Sequence, residues 1–494
     1  MIQTGDTVTP IVGLEIHVEL DTATKMFCRC PNHFGDPPNT NTCPVCIGMP
    51  GVLPVMNRRA VELSMKVAVA LGCTLNAFTK WDRKGYYYPD LPKNYQISQY
   101  DLPLGIDGWM DVPLPDGSSK RVRILRAHLE EDAGKNVHDH PSHTGVDLNR
   151  AGVPLLEIVS QPDMNSVEEV ASYARSMQRL VRWLGASQAN MQMGHMRFEP
   201  NINLHIRREG KLFKTPIVEV KNLNSFRSLE GAVAYEFQRQ YEQWLEDSQY
   251  VLEKVGKQNR GFDDNRGVTV FQRAKEEAHD YRYFPDPDLV PVVVDSAWRD
   301  AVISSIGELP LARRQRYMET YGLTFKEADA LTQDIPTGDL LDQAIKLGAD
   351  PKRCTNLLLG RGSALANERG CSIAQVGVSA VQLAELAKMA DAGEINATSA
   401  GRIFDMLVER GGSAKNLAAA EGLLAVTDSS ALEAWVDQVL AANPDAVAEI
   451  KAGGKKQKRA FGFLMGQVMK LSGGAAAPAQ VQQLFERKLE VDGA

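Results

Sequence analysis

The segment Val12-Gly13-Leu14-Glu15-Ile16-His17-Val18-Glu19-Leu20 alternates strictly between apolar and polar residues. In an extended strand, successive side chains point to opposite faces. Leu14, Ile16, Val18 and Leu20 therefore share one face, and Glu15, His17 and Glu19 share the other. A half-exposed strand ordinarily carries Thr, Lys or Ser on its wet side. Two carboxylates flanking an imidazole are instead a donor set for a hard cation such as Mg²⁺ or Mn²⁺.

The pattern recurs. Arg126, His128 and Glu130 alternate on a run ending Glu130-Glu131-Asp132, and Glu157 lies within Pro154-Leu155-Leu156-Glu157-Ile158-Val159. Arg197, Glu199, Asn201, Asn203 and His205 alternate with Phe198, Pro200, Ile202, Leu204 and Ile206, while Glu219 and Lys221 share one side of their run. Like charges gathered on one surface repel, and cations offset that cost best. Any one such strand reads as a solvated face; together they predict a metal-binding catalytic face. No G-x-x-x-x-G-K-[ST] phosphate loop occurs, which argues against a P-loop site.

A second cluster is Cys28-x-Cys30 with Cys43-x-x-Cys46, separated by a Pro/Asn-rich loop. Two close pairs across a loop can close a tetrahedron of thiolates around Zn²⁺, although the first pair is tighter than the common spacing. Four free thiols or a redox pair are the alternatives. A site filled by four protein ligands is structural. Cys73, Cys354 and Cys371 are scattered and fit core packing.

A chain of 494 residues exceeds one ordinary core, and 44% hydrophobic with 24% charged residues is a globular balance. Up to about residue 295 short β-type runs, aromatics and prolines prevail. Beyond Asp295, Ala and Leu rise and helical spacing takes over, as in Val381-Leu383-Leu386-Met389. The composition predicts an α+β body over 1–295 carrying the cysteine insert 28–46. A helical domain over 296–412 and a helical tail over 413–494 follow. The opening Met1–Asp6 has no basic, apolar leader, and no run is long enough to span a bilayer, so a cytoplasmic protein is expected. Net charge is 55 − 62 = −7, so RNA contact would need a local patch. Lys455, Lys456, Lys458 and Arg459, beside Gly453-Gly454 and ahead of an apolar helix, form one that suits phosphate contact; the alternative is a solvated face.

Several long motifs stand in one order over residues 10–290. They are VGLEIHVEL at 12–20, WDRK at 81–84 with YPDLPKNYQISQ at 88–99, HLEEDAGK at 128–135, DLNRAGVPLLEIVSQPD at 147–163, KNLNSF at 221–226 and DYRYFPDPDL at 280–289. In them the chain resembles the B-subunit family of the tRNA-dependent amidotransferases (GatB). The resemblance implies a cradle related in fold to glutamine synthetase and guanidino kinases, whose antiparallel sheet holds ATP through Mg²⁺. It implies Glu15, His17, Glu130 or Glu131, Glu157 and Glu219 around Mg²⁺, with Lys221 and Arg197 neutralising phosphate charge. The implied reaction phosphorylates the side-chain carboxylate of a Glu or Asp misacylated on tRNA(Gln) or tRNA(Asn), and ammonia then displaces phosphate. An amidase A subunit, clamped by a small C subunit, is implied as the ammonia source of a heterotrimer.

Lys84 and Lys93 match positions near the ammonia path, Lys93 being the better candidate for a gate, with local salt bridges to Asp82 and Asp90 as the alternative. The resemblance also supports zinc at the four cysteines and tRNA binding by the tail. Where the family commonly has an acid pair this chain has Gln192-Met193, so no ligand role transfers there; His195 stands close by. A related archaeal E subunit carries an inserted domain that this length does not accommodate. A non-catalytic tRNA-binding module with structural zinc is opposed by the acid-lined face, and a free-standing amide ligase by the basic tail.

Overall fold

A computed structural model describes residues 3, 5–114, 116–140, 142–274, 281–425, 429–451, 457–472 and 476–489. The chain divides into two compact units, Met1–Leu309 and Pro310–Ala494. It is mixed α+β, a large sheet unit followed by a helical one.

The large sheet is ten-stranded. Its strands are β1 (Thr7–Glu19), β2 (Thr74–Leu75), β3 (Gly105–Pro113), β4 (Ser119–Glu131) and β5 (Pro154–Ser160), then β6 (Met196–Arg208), β7 (Lys211–Lys214), β8 (Val218–Lys221), β9 (Gln258–Asp263) and β10 (Val268–Ala274). In space they run β10-β9-β8-β6-β1-β5-β4-β3-β2, with β7 hairpinned onto β6. Neighbours pair antiparallel except β8 with β9. The acid-bearing strands expected from alternation, β8, β6, β1, β5 and β4, are consecutive neighbours.

Their apolar sides form the core. Leu14, Ile16 and Val18 are buried with Leu156, Ile158, Phe198, Ile202, Val218 and Val220. Helices α1 (Arg58–Ala70), α2 (Val167–Trp183) and α3 (Phe226–Glu246) add Leu63 and Val67, Tyr173 and Met177, and Leu229 and Val233 to that core. In α2 the buried Val170, Tyr173, Ala174, Met177 and Val181 recur at helical spacing. Ser166 caps its first turn by accepting from the Glu169 N–H, and Glu168 and Glu169 complement the helix dipole.

Strand β4 contains a bulge. Val159 opposes Arg126, but the next residue, Ser160, opposes Ile124, which leaves Leu125 without a partner in β5. Val122 and Ile124 before the bulge, and Ala127 and Leu129 after it, all enter the core. The extra residue flips the parity of the strand, and so places Arg126, His128 and Glu130 opposite the core.

The compositional change at Asp295 marks a helix start rather than the end of this unit. Asp295 accepts from the Trp298 N–H to cap α4 (Ser296–Ser304), whose Val302 joins the sheet core. Trp183 Nε1 also donates to the Glu308 carbonyl at 2.9 Å.

In the second unit, one apolar cluster gathers Tyr317, Leu331, Leu341, Leu383, Ile403 and Phe404, and still includes Ala414 and Ala418. A separate one runs from Leu432 through Ile450, Leu464 and Val468 to Phe485 and Leu489. Reciprocal capping boxes open two of these helices, Thr324 with Glu327 and Ser379 with Gln382. Among the described residues no helix is long and apolar enough to cross a membrane.

Candidate metal centre on the sheet

Antiparallel register builds the centre. His17 of β1 lies opposite Glu157 of β5, and Glu157 lies opposite His128 of β4. Glu130 follows His128 on the same side of β4. One ligand atom from each of His17, Glu130 and Glu157 lies within 4.8 Å of the others. His17 Nε2 is 3.5 Å from Glu157 Oε2, and His128 Nε2 is 3.0 Å from Glu130 Oε1 and 3.6 Å from Glu157 Oε2.

These groups hold their charges under tension. Burial, then the charge of Glu157, pushes the Glu130 carboxyl well above its ordinary range. Burial acts upward on Glu157 too, but His128, Glu130 and His17 outweigh it and hold that carboxylate well below. Burial opposes charge on His17, yet Glu157 and Glu199 prevail and raise it to about 9. Burial lowers His128 to about 4. Without a cation, then, protons on His17 and Glu130 balance the cluster. Two carboxylates and an imidazole converging at this spacing fit a divalent cation, which would take the place of those protons.

Other predicted residues flank the centre rather than join it. Glu15 accepts from Asn201 Nδ2 at 2.9 Å. Lys221 Nζ bridges Glu199 and Glu219 at 2.8 Å each. Burial opposes charge on Glu199, but Lys221 outweighs it and holds the carboxyl at about 2. Arg197 donates to Asp132 at 2.7 Å. Both cations expected to neutralise phosphate are thus already paired with carboxylates. Asp132 had a sequence signal, as the third acid after Glu130-Glu131, but no role was assigned to it.

Of the alternatives Glu130 and Glu131, the structure brings only Glu130 into the centre. Glu131 turns to the other side, where it pairs with Lys93 and accepts from the Ile97 N–H at 3.0 Å. Gln96 holds the two apart. Its amide donates to Glu130 Oε2 and, at 2.9 Å, to the Glu131 carbonyl, while its oxygen accepts from Tyr86 at 3.1 Å. Sequence reasoning missed Gln96, since nothing local tells a buried amide from a surface one. Lys93 therefore bridges to Glu131 rather than Asp90, and Asp82 pairs with Lys80. Lys84 Nζ lies 5.1 Å from the Tyr281 ring centroid and 5.9 Å from that of Tyr86. Burial opposes its charge, and Glu130 and Glu157 more than restore it.

An open cleft of about 460 Å³ is lined in part by Glu19, Arg150, Gln192, Met193 and His195. His195 is there, edge-on to Phe34, and does not join the His17 group.

The Sγ atoms of Cys28, Cys30, Cys43 and Cys46 lie within 4.8 Å of one another. Cys43 and Cys46 are 3.9 Å apart, against an edge of about 3.8 Å for a tetrahedron with typical Zn–S bonds. The hydrogen bond from Cys28, opposed by burial, brings Cys46 down to about 5, toward the thiolate a metal needs. The four thiols fit a tetrahedral metal. Cys73 and Cys354 are buried in cores and Cys371 packs against one. Lys458 and Arg459 are exposed on the helix Gln457–Leu471; Lys455 and Lys456 lie outside the described residues.

Residues 10–300 match the family model of the GatB/GatE catalytic domain, and residues 339–489 match the GatB domain. The chain belongs to the GatB family. Among similar proteins is the B subunit of the aspartyl/glutamyl-tRNA(Asn/Gln) amidotransferase of Rhodopirellula baltica, 45% identical and aligned over 97% of this chain and 96% of the relative. The proteins of the same name in Gloeobacter violaceus and Carboxydothermus hydrogenoformans are 44% and 42% identical over 97% of this chain, covering 86% and 98% of their own lengths. The GatB/GatE catalytic-domain match covers the strands of the acid-lined face, all but the first three residues of β1.

Binding of Mn²⁺ should release at least one proton at pH 7, because His17 and Glu130 must give up theirs. Its affinity should rise as pH increases through about 9, as His17 loses its proton. Calorimetry in two buffers of different ionisation enthalpy checks this; binding without proton release would exclude His17 as a ligand.

Proposed function

We propose that this GatB-family chain is the activating subunit of a tRNA-dependent amidotransferase. The observation that carries this is the buried His17–Glu130–Glu157 group, set on a face that the family match covers. In this reading the sheet unit is the cradle related to glutamine synthetase and guanidino kinases. Its mostly antiparallel sheet with an acid-lined side supports that likeness.

His17, Glu130 and Glu157 would hold Mg²⁺, with Glu15 and Glu219 flanking. Bound Mg²⁺ supplies charge neutralisation for the phosphates of ATP. The side-chain carboxylate of Glu-tRNA(Gln) or Asp-tRNA(Asn) is a poor electrophile. Transfer of the γ-phosphoryl group onto it turns a carboxylate oxygen into part of a phosphate leaving group. Ammonia then attacks the carbonyl carbon, and the amide and inorganic phosphate are released. The protein's part is alignment and charge compensation, with no protein nucleophile. Gln96 and His128 hold Glu130 in place. Ammonia comes from an amidase A subunit that a small C subunit clamps, and the relatives' name as a B subunit supports such an assembly. Lys84, beside Glu130 and Glu157, and Lys93, paired with Glu131, would line the ammonia path. The reaction belongs to protein synthesis in the cytoplasm.

The assembled complex should hydrolyse ATP only with misacylated tRNA, and it should form the amide. Glu15→Gln, and more strongly His17→Ala or Glu157→Gln, should cut turnover by at least about 100-fold, the upper range for outer-shell metal partners, with the fold intact by circular dichroism. Binding of misacylated tRNA with no ATP hydrolysis would favour a non-catalytic tRNA-binding module instead.

Zinc at Cys28, Cys30, Cys43 and Cys46 is part of the proposal. Elemental analysis should give about one zinc per chain. Cys43→Ser with Cys46→Ser should lower the unfolding midpoint more than the turnover of protein that stays folded. Zinc-free protein prepared without chelator would end the assignment.

In this reading the helical unit after Leu309 ends in a tail, built around the separate core from Leu432 to Leu489, that grips tRNA through Lys455, Lys456, Lys458 and Arg459. Changing these four to Ala should weaken tRNA binding and flatten its log–log salt slope by about 0.7–0.9 for each phosphate no longer neutralised. Binding titrations at several salt concentrations measure both; an unchanged slope would make the run a solvated face.

A further inference from the structure

The cations expected to meet phosphate, Arg197 and Lys221, are hydrogen-bonded to carboxylates. Arg121 and Arg123, earlier on β4, are also engaged, each forking onto one acid, Asp111 and Asp163. Arg126 differs. Its nearest approach to a carboxylate is 4.0 Å, from Nη2 to Glu157 Oε1, beyond hydrogen-bond range. Its Nε, like that of Arg197, is buried without a hydrogen-bond partner among the described residues, but Arg197 is anchored to Asp132 through Nη2. A buried guanidinium N–H left unmade is costly, so a position that keeps one usually has a further ligand.

Backbone geometry makes the same point. Without the bulge at Leu125, Arg126 would share the side of Val122 and Ile124 and point into the core. The extra residue turns it onto the face of His17, Glu130 and Glu157. Bulges recur beside active sites, where they re-aim a side chain. A planar fork of donors, with one edge unspent and a metal centre alongside, matches an oxyanion.

We infer that Arg126 is the oxyanion-binding arm of this centre, taking either the transferring γ-phosphoryl group or the side-chain carboxylate that receives it. The inference rests on the phosphoryl-transfer reading above. Both candidate ligands offer the same two-oxygen edge, and kinetics separates them.

The test uses the complete complex with ATP, misacylated tRNA and ammonium chloride in place of glutamine, comparing wild type with Arg126→Lys and Arg126→Gln. Lysine keeps the charge and loses the fork, so it also serves if the glutamine variant folds poorly. Removing one such donor should lower kcat/KM by about 10²–10³-fold in Arg126→Gln, with partial recovery in Arg126→Lys. A rise in KM for ATP alone identifies the phosphoryl group as the ligand. A rise in KM for misacylated tRNA alone identifies the carboxylate. Mn²⁺ affinity, measured in parallel, should not fall; a fall in step with kcat would mean that Arg126 only positions Glu157, overturning the inference. Variants within twofold of an active wild type overturn it as well. A wild type that forms no amide would instead defeat the underlying reading.

Discussion

Carboxylates packed on one side of a sheet and shielded from water repel one another, and the rest of this architecture answers that constraint. The antiparallel register sets an opposite charge or a hydrogen-bond donor beside these acids of the central strands. Glu157 has His17 and His128 as neighbours, Glu130 has His128, Glu199 and Glu219 share Lys221, and Asp132 takes Arg197. Removing one partner of such a pair leaves a charge in a place where it cannot be hydrated, which costs several kcal/mol. The apolar side of the same strands supplies the burial that makes this lattice affordable. Chemistry and stability thus come from the two faces of one set of strands.

Much of this could be read along the chain, because alternation is local. Leu14, Ile16 and Val18 going inward, with Glu15 and His17 going outward, follows from a period of two. The cysteine pairs were equally legible, since short spacings keep their thiols close. Pairing between strands was not. Which acid meets which histidine depends on strand order, which brings His17 to Glu157 across 140 residues of chain and His128 to the same acid across 29. The pairing of Arg197 with Asp132 and of Lys221 with Glu199 is of this kind. The end of the sheet unit at Leu309 also escaped composition, because α4 looks like the helices after it yet buries Val302 in the sheet core.

The two candidate metal positions lie on either side of one strand. Glu130 reaches the His17 centre, while Glu131, the next residue, lines a small cavity with Cys28, Cys46 and Lys93. Lys93 in turn packs against Gly48 of the cysteine loop, where a Cβ would come within 2.5 Å of its side chain. The thiol-bearing insert thus braces the end of β4 through Lys93 and Glu131. Gln96, bonded to both glutamates, keeps that brace in step with the reactive face.

The bulge at Leu125 gives β4 something like a reading frame. The residues before it and those after it are each in phase with the core, but out of phase with each other. Deleting any one residue between the turn before Ser119 and Leu125 would let the ladder close without a break. Val122 and Ile124 would then fall in phase with Ala127 and Leu129, and all four would still face the core. At its present length and without the bulge, the strand would instead have to put either Val122 and Ile124 or Ala127 and Leu129 into water. Length and bulge are therefore coupled: a family member one residue shorter before Leu125 should pair this strand without a break.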